Sequence, residues 1–202
     1  IARRQRQMCI RDRTMLFRRL GLFTKVEDEA VKTPQAEALS EAKKSAPLAD
    51  LVEIASPLSG QVKELSQATD PVFAQGVMGQ GVLIEPSQGD LLAPVDGVVS
   101  VLFPTKHAVG IVSDQGVEML MHIGMDTVNL EGKGFTAHVS QGDRVKVGDK
   151  LISFDIDVIK DAGYVTETPV IITNQDQYQA DALGSLPRQI AVGDALMTAT
   201  KI

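Results

Sequence analysis

Two of the three histidines, His107 and His122, sit on apolar runs that flank one turn signal in PTKHAVGIVSDQGVEMLMHIG, residues 104–124. Imidazole is the side chain best suited to act as nucleophile, proton carrier or metal ligand near neutral pH. Two imidazoles brought together must lose water beside each other, and charging both would be costly. Such a pair suits three uses: half of a metal site, an acid–base pair, or a nucleophile beside a hydrogen-bond donor.

The elements that would bring them together follow from the turn. Ser113-Asp114-Gln115-Gly116 fits a type I turn, with Ser first and Gly fourth. Residues 107–112 and 117–122 then read as antiparallel strands. If Ser113 faces Gly116, His107 stands opposite His122, with Cβ atoms about 4.5–5.5 Å apart on one face. A competing register puts Gly116 in a left-handed bulge, pairs Ser113 with Val117, and sends the histidines to opposite faces. The turn by itself leaves both registers open; the first, with both rings converging on a shallow apolar depression, is the one a shared histidine site requires.

From Leu51 onward, short Val/Ile/Leu runs are broken by Gly, Asp and Pro at intervals that suit an all-β, antiparallel sandwich or barrel. Pro-x-x-Gly-x-Val occurs at residues 57–62 and again at 94–99. Gly-Asp precedes an apolar run at Gly89-Asp90, Gly142-Asp143, Gly148-Asp149 and Gly193-Asp194. Repeated turn–strand units imply a pseudo-symmetric repeat, and the Gly and Asp residues read as turn chemistry.

Composition sets the limits. With 202 residues and 44% apolar content the chain can bury a core, and six Phe, two Tyr and no Trp make that core aliphatic. Residues 1–25 hold eight Arg/Lys and one Asp, leaving 12 basic and 25 acidic residues, a balance of −13, over 26–202. An acidic body argues against nucleic acid as a partner. Residues 1–13 read as an adapter-derived scar: Met8-Cys9-Ile10-Arg11-Asp12 back-translates as ATG-TGT-ATA-AGA-GAC, similar to a transposase mosaic-end adapter. Residues 14–25 could form an amphipathic peptide able to touch an anionic membrane surface. Residues 26–50, rich in Glu, Ala, Lys, Ser and Pro, read as a flexible linker. The expected domain is 51–202, and the single cysteine excludes an internal disulfide.

Phosphate-cradling glycine loops, Cys-x-x-Cys pairs, His-Glu-x-x-His and Gly-x-Ser-x-Gly are all absent from the sequence. Longer stretches are more telling: residues 52–60 (VEIASPLSG), 93–97 (APVDG), 105–108 (TKHA), 116–118 (GVE), 122–128 (HIGMDTV) and 142–149 (GDRVKVGD). In order and in residue type they resemble the glucose-type enzyme IIA of the bacterial sugar phosphotransferase system, from about Val52 onward. Gly21-Leu22-Phe23 is similar to the start of free-standing members, whose N-terminal peptide can bind membrane.

The resemblance implies an all-β duplicated hybrid fold and a phosphohistidine intermediate. His122 would be the nucleophile, taking a phosphoryl group on Nε2 from the histidine-containing phosphocarrier protein and passing it to a sugar-specific IIB domain. His107 would donate a hydrogen bond to the phosphoryl oxygens, Thr105 would set the His107 tautomer, and the Gly124 carbonyl would accept from Nδ1 of His122. An apolar partner-binding rim is implied at Val72, Phe73, Val77, Met78, Phe103, Val109, Leu120 and Val128, flanked by Asp70 and Asp126. No cofactor is expected. Zinc could be held by His107 and His122 jointly with a partner's carboxylate at a regulatory interface. The chain would work as a cytoplasmic monomer, peripheral to the membrane through its N-terminal peptide. His138 matches no functional histidine and reads as a surface residue.

Two other β architectures share some of these signals. A zinc peptidase would need a third protein ligand, as from a His-x-His pair with a His-x-x-x-Asp upstream of it, and no such pair is present. A biotinyl or lipoyl carrier would need an exposed lysine at a hairpin tip, where this chain has Asp114-Gln115.

Overall fold

The computed structural model describes residues 51–202. The expected scar, membrane peptide and linker lie outside the described residues. The chain forms β1 (Leu51–Ala55), β2 (Gly60–Glu64), a 3-10 turn (Leu65–Gln67), α1 (Pro71–Ala74), β3 (Gln80–Pro86), β4 (Asp90–Leu92), β5 (Gly97–Leu102), β6 (Ala108–Ser113) and β7 (Glu118–His122). It continues through a 3-10 turn (Thr127–Leu130), β8 (Phe135–Ala137), β9 (Arg144–Val145), β10 (Lys150–Phe154), α2 (Ile156–Asp161), β11 (Thr168–Ile172), β12 (Tyr178–Ala182), β13 (Arg188–Ile190) and β14 (Ala195–Lys201). Every strand pairing is antiparallel. None of the helices among the described residues is long and apolar enough to cross a membrane.

The repeat seen in the sequence is a repeat of topology. The eight-stranded sheet runs β13-β2-β3-β11-β7-β6-β5-β9, and the two three-stranded sheets run β1-β14-β12 and β4-β10-β8. Exchanging β1, β2, β3, β11, β12, β13 and β14 in order for β4, β5, β6, β7, β8, β9 and β10 maps each sheet onto itself or its counterpart. The second copy is thus continuous in sequence and nested between β3 and β11 of the first. The Pro-x-x-Gly-x-Val glycines hold equivalent places: a Cβ on Gly60 would lie 2.0 Å from the Glu85 carbonyl oxygen, and one on Gly97 would lie 2.2 Å from that of Val112. Only glycine allows the neighbouring backbone so close. The Gly-Asp turns repeat a contact as well, since Asp143, Asp149 and Asp194 each accept a hydrogen bond from the amide three residues back.

The eight-stranded sheet buries both faces in its middle. One face supplies Val82, Ile84, Val109, Ile111, Met119, Met121, Val170 and Ile172 to the main core. The opposite face carries Leu83, Leu120, His122 and Ile171, all buried but, with Leu65, Ala68 and Phe73, outside that core cluster. The segment between β2 and β3 supplies this second, smaller apolar layer, and the histidines lie in it.

The hairpin adopts the competing register. Ala108 pairs with His122, Val109 with Met121 and Ile111 with Met119. Gly116 has φ +92, Ser113 N–H donates to the Val117 carbonyl at 2.9 Å, and Gly116 N–H donates to the Ser113 carbonyl at 2.9 Å. The direct opposition of His107 and His122 is therefore corrected. Burial explains the choice, because this register sets Val109 and Ile111 against two core methionines, whereas the other would set Ile111 against Glu118.

Candidate functional site

Despite that register, the two imidazoles meet. Their ring centroids lie 4.8 Å apart with planes at 75°. Alternation binds only residues within the ladder, and His107 lies one residue ahead of β6, at the end of the loop from β5. That loop starts as a turn with Pro104 second, closed by Lys106 N–H donating to the Phe103 carbonyl at 2.8 Å. Lys106 then takes a left-handed conformation, φ 59. The reversal stands directly before His107, whose carbonyl still accepts from Ile123 N–H at 2.7 Å while its ring meets that of His122 in β7.

Both rings are nearly sealed, with His107 4% and His122 6% exposed. Phe73 packs on His122 at 5.4 Å between centroids, and Phe103 meets His107 edge-on at 5.3 Å. The file Phe73–His122–His107–Phe103 restrains both imidazoles by ring contacts of favourable geometry.

Hydrogen bonds set the proton positions. Nδ1 of His122 lies 2.7 Å from the Gly124 carbonyl oxygen. A carbonyl can only accept, so Nδ1 carries the hydrogen and the neutral ring keeps its lone pair on Nε2. Nδ1 of His107 lies 2.5 Å from Thr105 Oγ1. With that hydroxyl donating, His107 holds its own hydrogen on Nε2 and becomes a donor there. With that assignment, a ring whose Nε2 bears a lone pair stands beside one with an Nε2–H.

The backbone after His122 is equally constrained. Gly124 has φ +70, and a Cβ there would lie 2.5 Å from Thr127 Cγ2 and 2.8 Å from the Val165 carbonyl oxygen. Thr127 Oγ1 donates to the Ile123 carbonyl at 2.6 Å, and Met125 N–H donates to that of Val165 at 3.1 Å. Thr127 and Val165 were not singled out in sequence. The first sits inside the HIGMDTV stretch, but its contact closes across a turn, and the second comes from a distant segment.

The expected rim divides. Val77 is 62% exposed, Asp126 is exposed, and Asp70, Val72, Met78 and Val128 are half-buried. Asp70 caps α1 by accepting from the Val72 amide at 2.8 Å, and Asp126 has φ 58. Phe73 at 3%, Leu120 at 4% and Phe103 at 9% exposed are the floor and walls of the site, not an exposed rim. Val109 is corrected outright: it is fully buried in the main core on the other face of the sheet, because the adopted register pairs it with Met121.

His138 is exposed and stands in a separate polar chain. Its Nε2 lies 2.8 Å from Ser153 Oγ, which donates to Asp90 at 2.7 Å, and Lys150 reaches the same carboxylate at 2.9 Å. The bonds from Ser153 and Lys150 hold the Asp90 carboxyl below its ordinary pKa. Among the described residues no group of three or more His, Cys, Asp or Glu side chains could hold a metal ion. Zinc at the two histidines would take its remaining ligands from elsewhere.

Comparison with known proteins finds relatives of the chain. Residues 52–178 match the family model described as phosphoenolpyruvate-dependent sugar phosphotransferase system, EIIA 1. The chain is 58% identical over 125 residues to a PTS system beta-glucoside-specific EIIBCA component of Bacillus subtilis (strain 168), covering 62% of this chain and 20% of that protein. It is 50% identical over 125 residues to the PTS system glucose-specific EIIA component of Oceanobacillus iheyensis, covering 62% and 76%. With the glucose-specific EIIA component of Halalkalibacterium halodurans it shares 44% over 163 residues, covering 80% and 85%. The chain therefore spans about a fifth of the EIIBCA relative and most of the separate EIIA components. Among solved structures, the glucose permease IIA from Mycoplasma capricolum superposes with a TM-score of 0.69 at 34% identity, covering 76% of this chain and 99% of that one.

Proposed function

Because the chain belongs to the EIIA 1 family of the phosphoenolpyruvate-dependent sugar phosphotransferase system, and is a phosphocarrier domain of that system, we propose that His122 is the residue that carries the phosphoryl group. The observation that carries this reading is the hydrogen bond from His122 Nδ1 to the Gly124 carbonyl beside the His107 ring. It leaves the His122 Nε2 lone pair to attack phosphorus. The phosphorus–nitrogen bond of the donor phosphohistidine breaks as the new one forms, and its electron pair returns to the donor's ring nitrogen. Charge collects on the equatorial phosphoryl oxygens, where preorganised donors lower the barrier. His107, held by Thr105 as the Nε2–H tautomer, is the donor in this reading.

The donor is the histidine-containing phosphocarrier protein and the acceptor a sugar-specific IIB domain. Glucose or a β-glucoside is the sugar class, by analogy with the named relatives. The work is that of a monomer in the cytoplasm, and it needs no cofactor. Zinc is an accessory only, bridging His107 and His122 to a regulatory partner's carboxylate. The docking surface in this reading is Val72, Val77, Met78 and Val128 with Asp70 and Asp126, over a floor of Phe73, Phe103 and Leu120.

Incubation with phosphoenolpyruvate, the general enzyme and the phosphocarrier, followed by intact-mass measurement, tests the reading. One acid-labile phosphoryl group is expected on wild type and none on His122→Gln. His107→Gln, which keeps an N–H donor, is expected to accept but to pass the group on poorly to IIB. A phosphoryl group mapped to another residue would sink the assignment.

A further inference from the structure

We propose that Glu167 is a positioning residue for the His122 site, acting through Thr69 on the segment that carries Phe73; its link to transfer rests on His122 being the phosphoryl acceptor. Glu167 Oε2 accepts two hydrogen bonds from one residue 98 positions earlier, from the Thr69 amide at 3.1 Å and the Thr69 hydroxyl at 2.8 Å. Thr69 directly precedes Asp70, whose carboxylate caps α1, and α1 places Phe73 against the His122 ring.

α1 spans only four residues. One turn has no helical cooperativity to keep its shape or place, so its position depends on what ties down its ends. The acceptor that ties its start comes from the same short segment that holds the loop after His122. Two residues before Glu167, the Val165 carbonyl accepts from Met125 N–H, next to the Gly124 carbonyl that fixes the His122 tautomer.

Segment 165–167 is itself anchored. Thr166 and Thr168 are buried at 5% and 0% exposure, and Thr168 Oγ1 donates to the Thr166 carbonyl at 2.9 Å. Val165 and Glu167 therefore project from a fixed support, one toward the loop after His122 and one toward the segment leading to Phe73. The Thr69–Glu167 bonds lie at an exposed position, where hydrogen bonds contribute little to global stability. Their effect is local: they set where the aromatic wall of the site stands.

Three variants of the full chain test this. Glu167→Ala removes the acceptor, Glu167→Gln keeps one through its side-chain carbonyl, and Thr69→Val removes the hydroxyl while keeping the amide. Ring-proton NMR signals of His122 and Phe73 report the stacking directly. Glu167→Ala is expected to shift those signals, to hold its melting temperature within about 4 °C of wild type, and to raise KM for phosphorylated phosphocarrier about fivefold, with a smaller change in kcat. Glu167→Gln should restore both readouts, and Thr69→Val should fall between. Wild-type ring signals in Glu167→Ala would overturn the proposal, whatever its melting temperature. If the wild-type chain accepted no phosphoryl group, the proposed function would fail, while the ring signals would still decide whether Glu167 positions Phe73.

Discussion

At the scale of single residues, the site depends on one glycine and a few hydrogen bonds. Gly124 has φ +70 with a neighbouring methyl and carbonyl where a Cβ would go, so Gly124→Ala combines backbone strain with overlap. It is expected to cost about 1–3 kcal/mol and to slow phosphoryl acceptance more than that loss explains, because the displaced carbonyl is the acceptor for His122 Nδ1. Denaturant melts alongside single-turnover phosphorylation would separate the two effects. A second residue, Glu118, gives a pH prediction. Burial, and then the charge of Asp176, raise its carboxyl above the ordinary pKa. Between the unfolded and folded values the native state holds more protons, so this group lowers stability as pH rises and imposes its full penalty above the folded value. Glu118→Gln should therefore raise the melting temperature at pH 7, with the gain shrinking toward pH 4. Melting curves showing an equal gain at both pH values would refute the assignment.

At the scale of elements, the loop between β5 and β6 does what the hairpin register does not. The pairing of Ala108 with His122 would, by alternation alone, turn His107 toward the core. Left-handed Lys106 stands directly before this residue, and the His107 ring nonetheless meets that of His122. Lysine bears that backbone conformation at a cost, Gly and Asn bear it readily, and a β-branched residue hardly at all. Lys106→Gly should thus match or exceed wild-type stability, whereas Lys106→Val should cost about 1–3 kcal/mol and impair transfer to IIB as is expected of His107→Gln. Combining Lys106→Val with His107→Gln should add little further loss of transfer, since both act on the same side chain. Fully additive kinetics would argue that Lys106 does not act through His107.

At the scale of the molecule, one copy of a seven-strand unit is nested inside another, so the ends of the described domain depend on each other. β14 is the central strand between β1 and β12 and buries Leu196, Met197 and Ala199 to 1% exposure or less. Burying side chains of the size of Leu and Met contributes about 1.5–3 kcal/mol each, a large share of the roughly 5–15 kcal/mol that separates folded from unfolded domains. A chain ending at residue 194 should lose its cooperative thermal transition, although every residue of the histidine site remains. A cooperative melt and intact phosphoryl acceptance in that truncation would show that the two copies are energetically independent.

Much of this was legible in the sequence because it is local or periodic. Strand-forming runs, Pro-x-x-Gly-x-Val, the Gly-Asp turns and the stretches TKHA and HIGMDTV needed only residue types at fixed spacing, since turn geometry and alternation act over a few residues. Even the correct register had a trace there: pairing Ile111 with Glu118 would bury a carboxylate among aliphatic side chains, while pairing it with Met119 does not. Contacts between segments far apart in the chain left no such trace. Val109 and Leu120 are both apolar strand residues, yet one packs in the main core and the other on the opposite face with His122. Only the antiparallel register assigns them. Phe73 became a wall of the site because the segment between β2 and β3 covers that face of the sheet, and Glu167 meets Thr69 across 98 positions because β11 lies between β3 and β7. Such contacts depend on closing long loops at an entropic cost that no local pattern encodes, so it was the tertiary structure that decided them.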